Sequence, residues 1–548
     1  MFKRIKYLLA VAIFLQLSGS AFADHYPRNY NIDVLHYSFK LVLSDTTNEI
    51  KGTATISILF KKNDIRQVRL DFINKTTERK GMGMVVDSIS LSGEPLQYTH
   101  ANDVLIIQIP NGTREGTTLN FVIKYHGIPA DGLRIGPDKY GNRVFFSENW
   151  PDKARHWLPC IDHPYDKATS EFTVIAPSHY KVISNGLLVE ESSLDSATRL
   201  THWKQSVPIA CWLYVLGVAD FAVQYDGNVL GKSVQTWVYS KDREAGFPAF
   251  AATTKSVIEF FSDYIGPYVY EKIANVQSTC HGGMETASSV FYNENLVTDT
   301  RKNVLRNVVI HELAHQWFGN AVTESTWDDV WLSEGFATYF TLLYIEHAYG
   351  HDEYVQGLLD AKKIIHNYYA KDTGYSVIAD RSPENGPVTS AITYQKGAWF
   401  LHMLRDSIGD ENFHKGIRAY YKDFMNSNAS TADFLSEMEK ASGKDMKAFF
   451  EQWLYHGGEL MIKGNWKYDP LKKEMIIDLN QTQKNSYVFD VPVEIGVYEN
   501  GNPVPKISRF RVNTKTARFT IPVEDKPEKV VFDPRTILLA TIDFNEKK

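Results

Sequence analysis

Two histidines four residues apart, His311 and His315, constrain this chain more than any other feature. On an α-helix, which turns by about 100° per residue, they lie about 40° apart and face the same side. Neutral imidazole nitrogens are good zinc ligands, and two of them at this spacing can share one ion. Glu312 cannot reach the same coordination position and is free to act as a base. The stretch therefore predicts a helix that carries two metal ligands and a catalytic carboxylate.

The spacing alone leaves two interpretations open. A helix can carry two histidines four residues apart without binding a metal, although the chain has only 17 histidines. A further carboxylate would complete a three-ligand site and leave one position open for catalysis. Glu334 is such a carboxylate, because it follows His315 after 18 residues and lies one turn inside the start of a predicted helix.

The length and composition are those of a large globular protein. At 548 residues, with 43% hydrophobic and 23% charged residues, the chain is long enough for three or four domains of about 150 residues each. The formal net charge is −6 and there are no basic runs, which argues against nucleic acid as a partner. Three cysteines, Cys160, Cys211 and Cys280, permit at most one disulfide and exclude a disulfide scaffold.

Residues 1–23 have the pattern of a secretory signal peptide. A charged start precedes an apolar run from Tyr7 to Leu17, and the segment ends in Ala21-Phe-Ala23, a small-residue cleavage site. The apolar run is too short to cross a bilayer. We therefore expect export to a bacterial periplasm or to the medium, with no membrane insertion after cleavage.

Periodicity divides the rest of the chain into three regions. Residues 24–221 consist of short alternating segments separated by turn signals, and they predict an all-β domain. Residues 222–458 carry apolar residues at helical spacing and predict an α-rich domain that contains the histidines. Alternation returns in residues 459–548 and predicts a small β-sandwich. The expected fold class is therefore multi-domain α+β.

Four sequence features in this order resemble the M1 family of zinc aminopeptidases, which includes aminopeptidase N and leukotriene A4 hydrolase. They are Gly282-Gly-Met-Glu-Thr286, His311-Glu-x-x-His315, Glu334 and Tyr394-Gln-Lys-Gly-Ala398. The resemblance covers most of the mature chain and extends to Arg155-His-Trp-Leu-Pro-Cys-Ile-Asp162 in the first region. It implies a thermolysin-like catalytic domain over residues 222–458 and one Zn²⁺ per chain.

The resemblance also implies a role for each site residue. His311, His315 and Glu334 would bind the zinc and leave the fourth position for water. Glu312 would be the general base that takes a proton from this water. Tyr394 matches the family tyrosine that donates a hydrogen bond to the oxyanion of the tetrahedral intermediate.

The segment from Gly282 to Thr286 matches the part of the family that holds the substrate amine. Glu285 matches the exopeptidase glutamate, which pairs with the free α-ammonium of the substrate. Gly282, Gly283 and Met284 would form a strand edge that the substrate backbone can approach closely. The implied function is release of N-terminal amino acids from peptides. The family segment usually ends in Asn, so Thr286 is a departure from it.

A second departure concerns the other contact to the amine. In the family, a Gln or Glu a few residues before the Arg-x-x-x-Pro-Cys stretch helps to hold the substrate ammonium. In this sequence Trp150 stands at the same distance before Arg155. Glu148 and Asn149 are the available substitutes. We favour Glu148, because a carboxylate pairs with a cation.

Metal-binding imidazoles also need a partner for the second ring nitrogen. The sequence offers four candidates without ranking them: Asp328, Asp329, Glu324 and Thr338.

Other functions remain open at this point. A thermolysin-like endopeptidase shares the metal ligands but has no use for an ammonium anchor such as Glu285. A catalytically inactive peptide-binding protein would be expected to have lost a ligand, the base or the tyrosine, and all of these are present. An epoxide hydrolase activity belongs to a branch of the family with a large helical C-terminal domain, which we do not expect here. Without that domain we expect an open active-site mouth that admits longer peptides.

Overall fold

The computed structural model describes residues 24–298, 301–379, 381, 383, 386–499 and 501–547. The predicted signal peptide, residues 1–23, lies outside these residues. The described part contains an all-β region, a helical region with its own sheet, and a C-terminal pair of sheets. This arrangement confirms the multi-domain α+β fold class.

The first region consists of strands. They are β1 (Ile32–Val42), β2 (Ile50–Phe60), β3 (Gln67–Asp71), β4 (Gly83–Leu91), β5 (Glu94–Pro95), β6 (Tyr98–Ala101), β7 (Val104–Gln108), β8 (Thr117–Ile128), β9 (Leu133–Pro137), β10 (Arg143–Ser147), β11 (Ala168–Pro177), β12 (Lys181–Ser184), β13 (Leu187–Ser193), β14 (Thr198–Ile209) and β15 (Leu216–Ala219). Eight of them form one sheet in the order β13-β14-β11-β1-β2-β8-β4-β5. Two smaller sheets, β12-β15-β10-β9 and β3-β7-β6, accompany it.

Strand β2 shows why the alternating pattern folds in this way. Its even-numbered residues from Ile50 to Phe60 are buried, and the residues between them are exposed or partly exposed. Side chains on a strand alternate between two faces, so one face of β2 contributes to the core and the other faces away from it. The neighbouring strands β1 and β8 both pair with β2 in antiparallel register.

The middle region begins with a mixed sheet of five strands in the order β16-β17-β18-β20-β19. These strands are β16 (Phe221–Val229), β17 (Lys232–Tyr239), β18 (Lys272–Ser278), β19 (Gly283–Met284) and β20 (Ser289–Asn293). The periodicity of the sequence did not resolve this sheet, because β18 is buried along its whole length and has no alternation to read. The predicted domain limits at 221/222 and 458/459 stay predictions, and β16 begins at the first of them.

Helices make up the rest of the middle region. They are α1 (Arg243–Tyr264), α2 (Glu294–Val297), α3 (Lys302–Ala314), α4 (Trp331–Tyr349), α5 (His351–Tyr369), α6 (Gly397–Ile408), α7 (Asp410–Phe424), α8 (Thr431–Ser442) and α9 (Lys447–Phe450). Two π-helical segments, Ile392–Lys396 and Glu451–Tyr455, precede α6 and follow α9. Two short strands, β21 (Val322–Glu324) and β22 (Ser427–Ala429), pair in parallel.

The C-terminal region contains two sheets with the orders β27-β24-β23-β29 and β26-β25-β28. Aromatic contacts join them, such as Phe510 to Phe519 and Phe532 to Phe544, whose ring centroids lie 4.4 and 5.5 Å apart. The strands are β23 (Met461–Asp469), β24 (Glu474–Gln481), β25 (Val491–Tyr498), β26 (Lys506–Val512), β27 (Thr516–Pro522), β28 (Lys529–Phe532) and β29 (Thr541–Glu546).

Lys167 connects the first region to the middle one. Its Nζ donates hydrogen bonds to the carbonyl oxygens of Asn320 and Ala321, both at 2.9 Å, and to that of Ser427 at 3.2 Å. Asn320 and Ala321 follow α3, the helix that carries His311, and the turn after it. The placement of that turn therefore depends on a side chain from the β region.

Two further observations concern the described residues. Cys160, Cys211 and Cys280 are all buried free thiols, so the one disulfide that their number permits does not form. None of the helices in the described ranges is long and apolar enough to cross a membrane.

Candidate metal and peptide site

Helix α3 and the turn after it bring the two histidines together. The helix ends at Ala314, and His315 still donates its backbone N–H to the carbonyl of His311 at 3.2 Å. The chain then turns at Gly319, whose φ of +110° favours glycine. A Cβ at Gly319 would also lie 2.2 Å from the hydroxyl of Ser333, so no larger residue fits at this position.

The structure places His311, His315 and Glu334 in one cluster. Nε2 of His311 and Nε2 of His315 are 3.1 Å apart. Glu334 Oε2 lies 3.4 Å from the His311 Nε2 and 3.3 Å from the His315 Nε2. Glu334 comes from the first turn of α4. Three ligand atoms from two helices therefore converge on one point, which is the donor set of a metal centre.

The cluster has an unused acceptor where a metal ion would bind. Glu334 Oε2 is buried and makes no hydrogen bond within the described residues. A buried carboxylate oxygen without a partner is costly, and a cation removes that cost. The residues present therefore fit a metal ion with two imidazole ligands and one carboxylate ligand.

The electrostatic field at His315 also favours a cation. Burial lowers the pKa of His315, but Glu285, Glu334 and Glu312 outweigh it and raise the pKa to about 10. The same negative field favours a metal ion at Nε2, because a proton and a metal compete for the same lone pair.

Phe318 and Ser333 hold the other ring nitrogen of His315. Nδ1 lies 3.2 Å from the carbonyl oxygen of Phe318 and 3.1 Å from the hydroxyl of Ser333. A proton on Nδ1 donated to this carbonyl leaves Nε2 free to bind a metal. No sequence signal identifies these two residues, since a backbone carbonyl can belong to any residue type.

Three of the four candidates from the sequence have other hydrogen-bond partners, and none of the four is hydrogen-bonded to His311 or His315 within the described residues. Asp328 accepts the backbone N–H of Arg381, and Asp329 accepts the hydroxyl of Thr431. Thr338 donates its hydroxyl to the backbone carbonyl of Glu334 at 2.8 Å. The carboxylate oxygens of Glu324 are buried and make no hydrogen bond within the described residues, and burial raises its pKa to about 8.

Glu312 lies against the edge strand of the five-stranded sheet. A Cβ built on Gly283 would come within 2.1 Å of Glu312 Oε1, so the carboxylate occupies the space that a side chain at 283 would need. Burial and the nearby carboxylate of Glu285 raise the pKa of Glu312 well above its usual range. A carboxyl group in such a setting exchanges protons more readily near neutral pH than an ordinary glutamate.

Glu285 is fixed by the turn that follows the histidines. Its backbone carbonyl accepts hydrogen bonds from Gln316 Nε2 at 2.9 Å and from Asn320 Nδ2 at 2.6 Å. Its carboxylate is buried near His315, Glu312 and Glu334, and burial raises its pKa to about 7. The acid and the metal cluster are therefore held together by one local network.

The residues around Glu285 form the predicted strand edge. Gly283 and Met284 pair with Tyr292 and Phe291 of β20, and β19 is the last strand of its sheet. Gly282 precedes them at a φ of +72°. Thr286, the departure from the family pattern, is buried and donates its hydroxyl to the carbonyl of Ser289.

Tyr394 lies in the π-helical segment before α6 and reaches the metal cluster. Its hydroxyl donates to Glu334 Oε1 at 2.7 Å. Burial and the charge of Glu334 raise its pKa well above the usual range, so the phenol stays protonated at neutral pH and remains a donor.

Glu148 already has a partner. Its carboxylate is 3.0 Å from Arg134 Nη2, and Arg134 also donates to the carbonyl of Thr279 at 3.0 Å. The side chain of Asn149 is fully used, because it donates to Tyr214 O and accepts from the indole of Trp157. The role of Glu148 in amine binding stays a prediction, and Arg134 is a neighbour that the sequence did not indicate.

Trp150 stands in the sequence where the family has its second amine-binding residue. In the structure it packs in an aromatic cluster. Its ring centroid lies 4.8 Å from that of Trp212 and 4.8 Å from that of Trp327. Further along this loop, Arg155 Nε is 3.1 Å from Asp162 Oδ2. The segment from Glu148 to Asp162 is therefore a packed loop.

A cavity of about 570 Å³ opens beside the metal cluster. His311, Glu312, Gly283 and Tyr394 are among the residues that line it, and most of the others come from α3, α4 and α5. This volume is in the range of sites that bind small ligands and short peptides.

Two family models match the chain and together cover most of it. The Peptidase M1 N-terminal domain matches residues 29–213, and the Peptidase family M1 domain matches residues 250–453. The second match contains the metal cluster, the edge strand and Tyr394.

Curated relatives include glutamyl aminopeptidase from Rattus norvegicus, which is 31% identical over 65% of this chain and 39% of its own length. Aminopeptidase A from Gloydius brevicauda is 27% identical over 86% of this chain and 52% of its own length. Probable aminopeptidase 2 from Sulfurisphaera tokodaii is 28% identical over 77% of this chain and 55% of its own length. The chain thus spans between two fifths and just over half of these relatives.

Proposed function

We propose that this chain, which belongs to peptidase family M1, is a zinc-dependent aminopeptidase that releases N-terminal amino acids from peptides. One observation carries the proposal. A buried carboxylate, Glu285, lies next to a three-donor metal site at the end of an edge strand. The metal site supports hydrolysis, and the carboxylate supports a substrate that begins with a free amine.

His311, His315 and Glu334 would hold one Zn²⁺. Two imidazoles and one carboxylate are a common ligand set of catalytic zinc, with one position left open. When bound, zinc would polarise the peptide carbonyl and lower the pKa of water to about 7. The hydrogen bond from His315 Nδ1 to the Phe318 carbonyl keeps Nε2 available as a ligand.

Glu312 would move the proton during hydrolysis. Its carboxylate accepts a proton from the attacking water and passes it to the leaving amine as the peptide bond breaks. The raised pKa suits a group that must both accept and return a proton near neutral pH.

Tyr394 would stabilise the negative charge on the carbonyl oxygen. Its hydroxyl donates to Glu334 in the structure, at the side of the metal cluster. If the Tyr394 side chain rotates toward the substrate, the same hydroxyl can donate to the oxyanion. A buried hydrogen bond at that position stabilises the transition state of hydrolysis.

Glu285 would select the N-terminus. Its buried carboxylate lies among Glu312, Glu334 and His315, and this excess of acids favours a substrate that brings an α-ammonium group over a neutral peptide segment. Chains would then bind with their first residue beside the metal and lose that residue.

Export to a periplasm or to the medium is also part of the proposal. It rests on the pattern of residues 1–23, a charged start, a short apolar run and a small-residue cleavage site. N-terminal sequencing of the exported protein should begin at Asp24. A protein that retains residues 1–23 in the cytoplasm would contradict this part.

A panel of aminoacyl-4-nitroanilides and their N-acetylated forms tests the activity, with and without a zinc chelator. We expect hydrolysis of free-amine substrates only, loss of activity with the chelator, and recovery on addition of zinc. Glu285→Gln should raise KM for the free-amine substrates. Glu259→Gln is the matched control, because Glu259 is an exposed glutamate on α1 and its replacement should leave KM unchanged. Equal cleavage of the acetylated forms would refute the aminopeptidase assignment.

A further inference from the structure

Arg306 stands out among the residues that line the cavity beside the metal cluster. Apart from His311, it is the one basic side chain among the described residues that line this cavity. Arg306 and Asn303 also line a second cavity of about 360 Å³. The first cavity is lined by α3 from His311 to Asn303, and this stretch forms a path from the metal cluster past Arg306.

The spacing on α3 gives the length of this path. Asn303, Asn307 and His311 are four residues apart, so they lie along one side of the helix at intervals of about 6 Å. From His311 to Asn303 is therefore about 12 Å, the length of three to four residues of an extended peptide. Amide side chains both donate and accept hydrogen bonds, as a peptide backbone does.

The path lies on the side of the leaving peptide. Glu312, which would return the proton to the leaving amine, lines the cavity together with Gly283. Glu285, which would hold the substrate's N-terminus, is not among the residues that line it. The part of the substrate after the cleaved bond would thus enter the cavity and run along α3.

The guanidinium group of Arg306 is held in one orientation. It stacks over the ring of Tyr349 at 4.1 Å, and its Nε donates to Asn307 Oδ1 at 3.0 Å. Its Nη2 lies 3.4 Å from Glu353 Oε2, and the side chains of Arg306 and Glu353 are 16% and 51% exposed. A fixed guanidinium with a long contact to one half-exposed acid can accept a second carboxylate at little entropic cost.

We propose that Arg306 binds a carboxylate carried by the second residue after the cleaved bond. Arg306 precedes His311 by five residues, about 7.5 Å along the helix axis, which is the span of about two extended residues. The carboxylate is the C-terminus of a tripeptide or the side chain of Asp or Glu in a longer peptide. This inference rests on the proposed aminopeptidase function and adds a preference on the leaving side of the substrate.

The test compares matched substrates on the full-length, zinc-loaded protein. One pair is a tripeptide as the free acid and as the C-terminal amide. The other pair is a tetrapeptide amide with Glu or Gln at its third residue. We expect wild-type kcat/KM to favour the carboxylate in at least one pair by about tenfold or more, as a charge-assisted hydrogen bond permits.

Variants then assign the preference to Arg306. Arg306→Gln should bring the acid-to-amide ratio close to one, and Arg66→Gln, an exposed arginine of the first region, should leave the ratio as in the wild type. Glu353→Gln removes the competing acid and should increase the ratio. A wild-type ratio near one in both pairs, or a ratio that survives Arg306→Gln, would overturn the proposal.

Aminoacyl-4-nitroanilides separate this inference from the proposed function, because they carry no residue after the cleaved bond. Failure to hydrolyse them would refute the aminopeptidase activity itself. Hydrolysis of them together with equal cleavage of acid and amide peptides would refute the role of Arg306 alone.

Discussion

Two buried histidines, His315 and His402, show how the same side chain serves two different purposes in this protein. His402 lies on α6, where its Nδ1 is 2.7 Å from the hydroxyl of Tyr354 and its Nε2 is 2.8 Å from the carbonyl of Thr536. Both contacts are to neutral groups, and burial lowers the pKa of His402 to about 4. The surrounding carboxylates instead raise the pKa of His315 to about 10.

The difference lies in what surrounds each ring. A neutral imidazole with its proton on Nε2 satisfies both contacts of His402, so this ring joins α6 to the C-terminal region and needs nothing more. His315 has one satisfied nitrogen, and its other nitrogen faces His311 and Glu334. A buried histidine whose two ring nitrogens are both hydrogen-bonded to neutral groups, such as His402, has a structural role. A buried histidine that faces several carboxylates, such as His315, is the kind of group that binds a cation.

Replacing each histidine should separate these roles, and the largest effect is expected at His315. His315→Ala should reduce bound zinc from about one ion per chain to nearly none, because one of three protein ligands is lost. Peptidase activity should fall to background while the far-UV circular dichroism stays that of the wild type. Zinc content measured by mass spectrometry of the desalted protein checks this, and a variant that keeps its metal would refute the ligand assignment.

Glu312→Gln should affect chemistry without affecting the metal. We expect kcat/KM to fall about 10²- to 10⁴-fold, the usual contribution of a general base, with zinc content unchanged. The free energy of unfolding should stay the same or increase, since the change removes a buried acid next to Glu285. Steady-state kinetics and urea denaturation measure the two effects. A variant with normal kcat would show that another group moves the proton.

His402→Ala should give the opposite result from His315→Ala. It leaves the Tyr354 hydroxyl and the Thr536 carbonyl without their partner, so the free energy of unfolding should fall by about 2–5 kcal/mol. The kcat/KM of the folded fraction and its zinc content should not change. Replacing the exposed His351 by Ala is the control. A loss of zinc in the His402 variant would show that the two sites are coupled.

His402 should also make the free energy of unfolding depend on pH, with a smaller effect than the substitutions above. Between pH 6.5, the ordinary pKa, and about pH 4, the unfolded chain binds a proton at this residue and the folded chain does not. Stability should therefore rise with pH across this window and be lost as the pH falls, by at most about 3 kcal/mol. The difference between wild type and His402→Gln in urea denaturation at pH 4.5 and pH 7 isolates this effect.

The sequence predicted the parts of the site that depend on local spacing. His311, Glu312 and His315 face one side because of the helical repeat, and Glu334 lies in the first turn of α4 as its pattern indicated. The alternating segments likewise predicted the β regions at the two ends of the chain. In each case the information lies within a few consecutive residues.

Contacts between distant residues could not be predicted in this way. The hydroxyl of Ser333 that lies beside His315 Nδ1, and the pairing of Glu148 with Arg134, depend on how separate segments pack in three dimensions. Strand β18 is buried along its whole length, so no period distinguishes it from a buried helix. The cavity along α3 needs three helices to be placed, and a single sequence carries no signal for their relative positions.

The contacts of Lys167 have a practical consequence for anyone who wishes to shorten this protein. This lysine of the β region holds the carbonyls of Asn320 and Ala321, and Asn320 in turn holds Glu285. A fragment that begins after β15 would retain His311, His315 and Glu334 yet lose Lys167, which supports the segment that holds the Glu285 carbonyl. We therefore expect a shortened protein to need the β region, or a replacement for the Lys167 side chain, to keep Glu285 in its place.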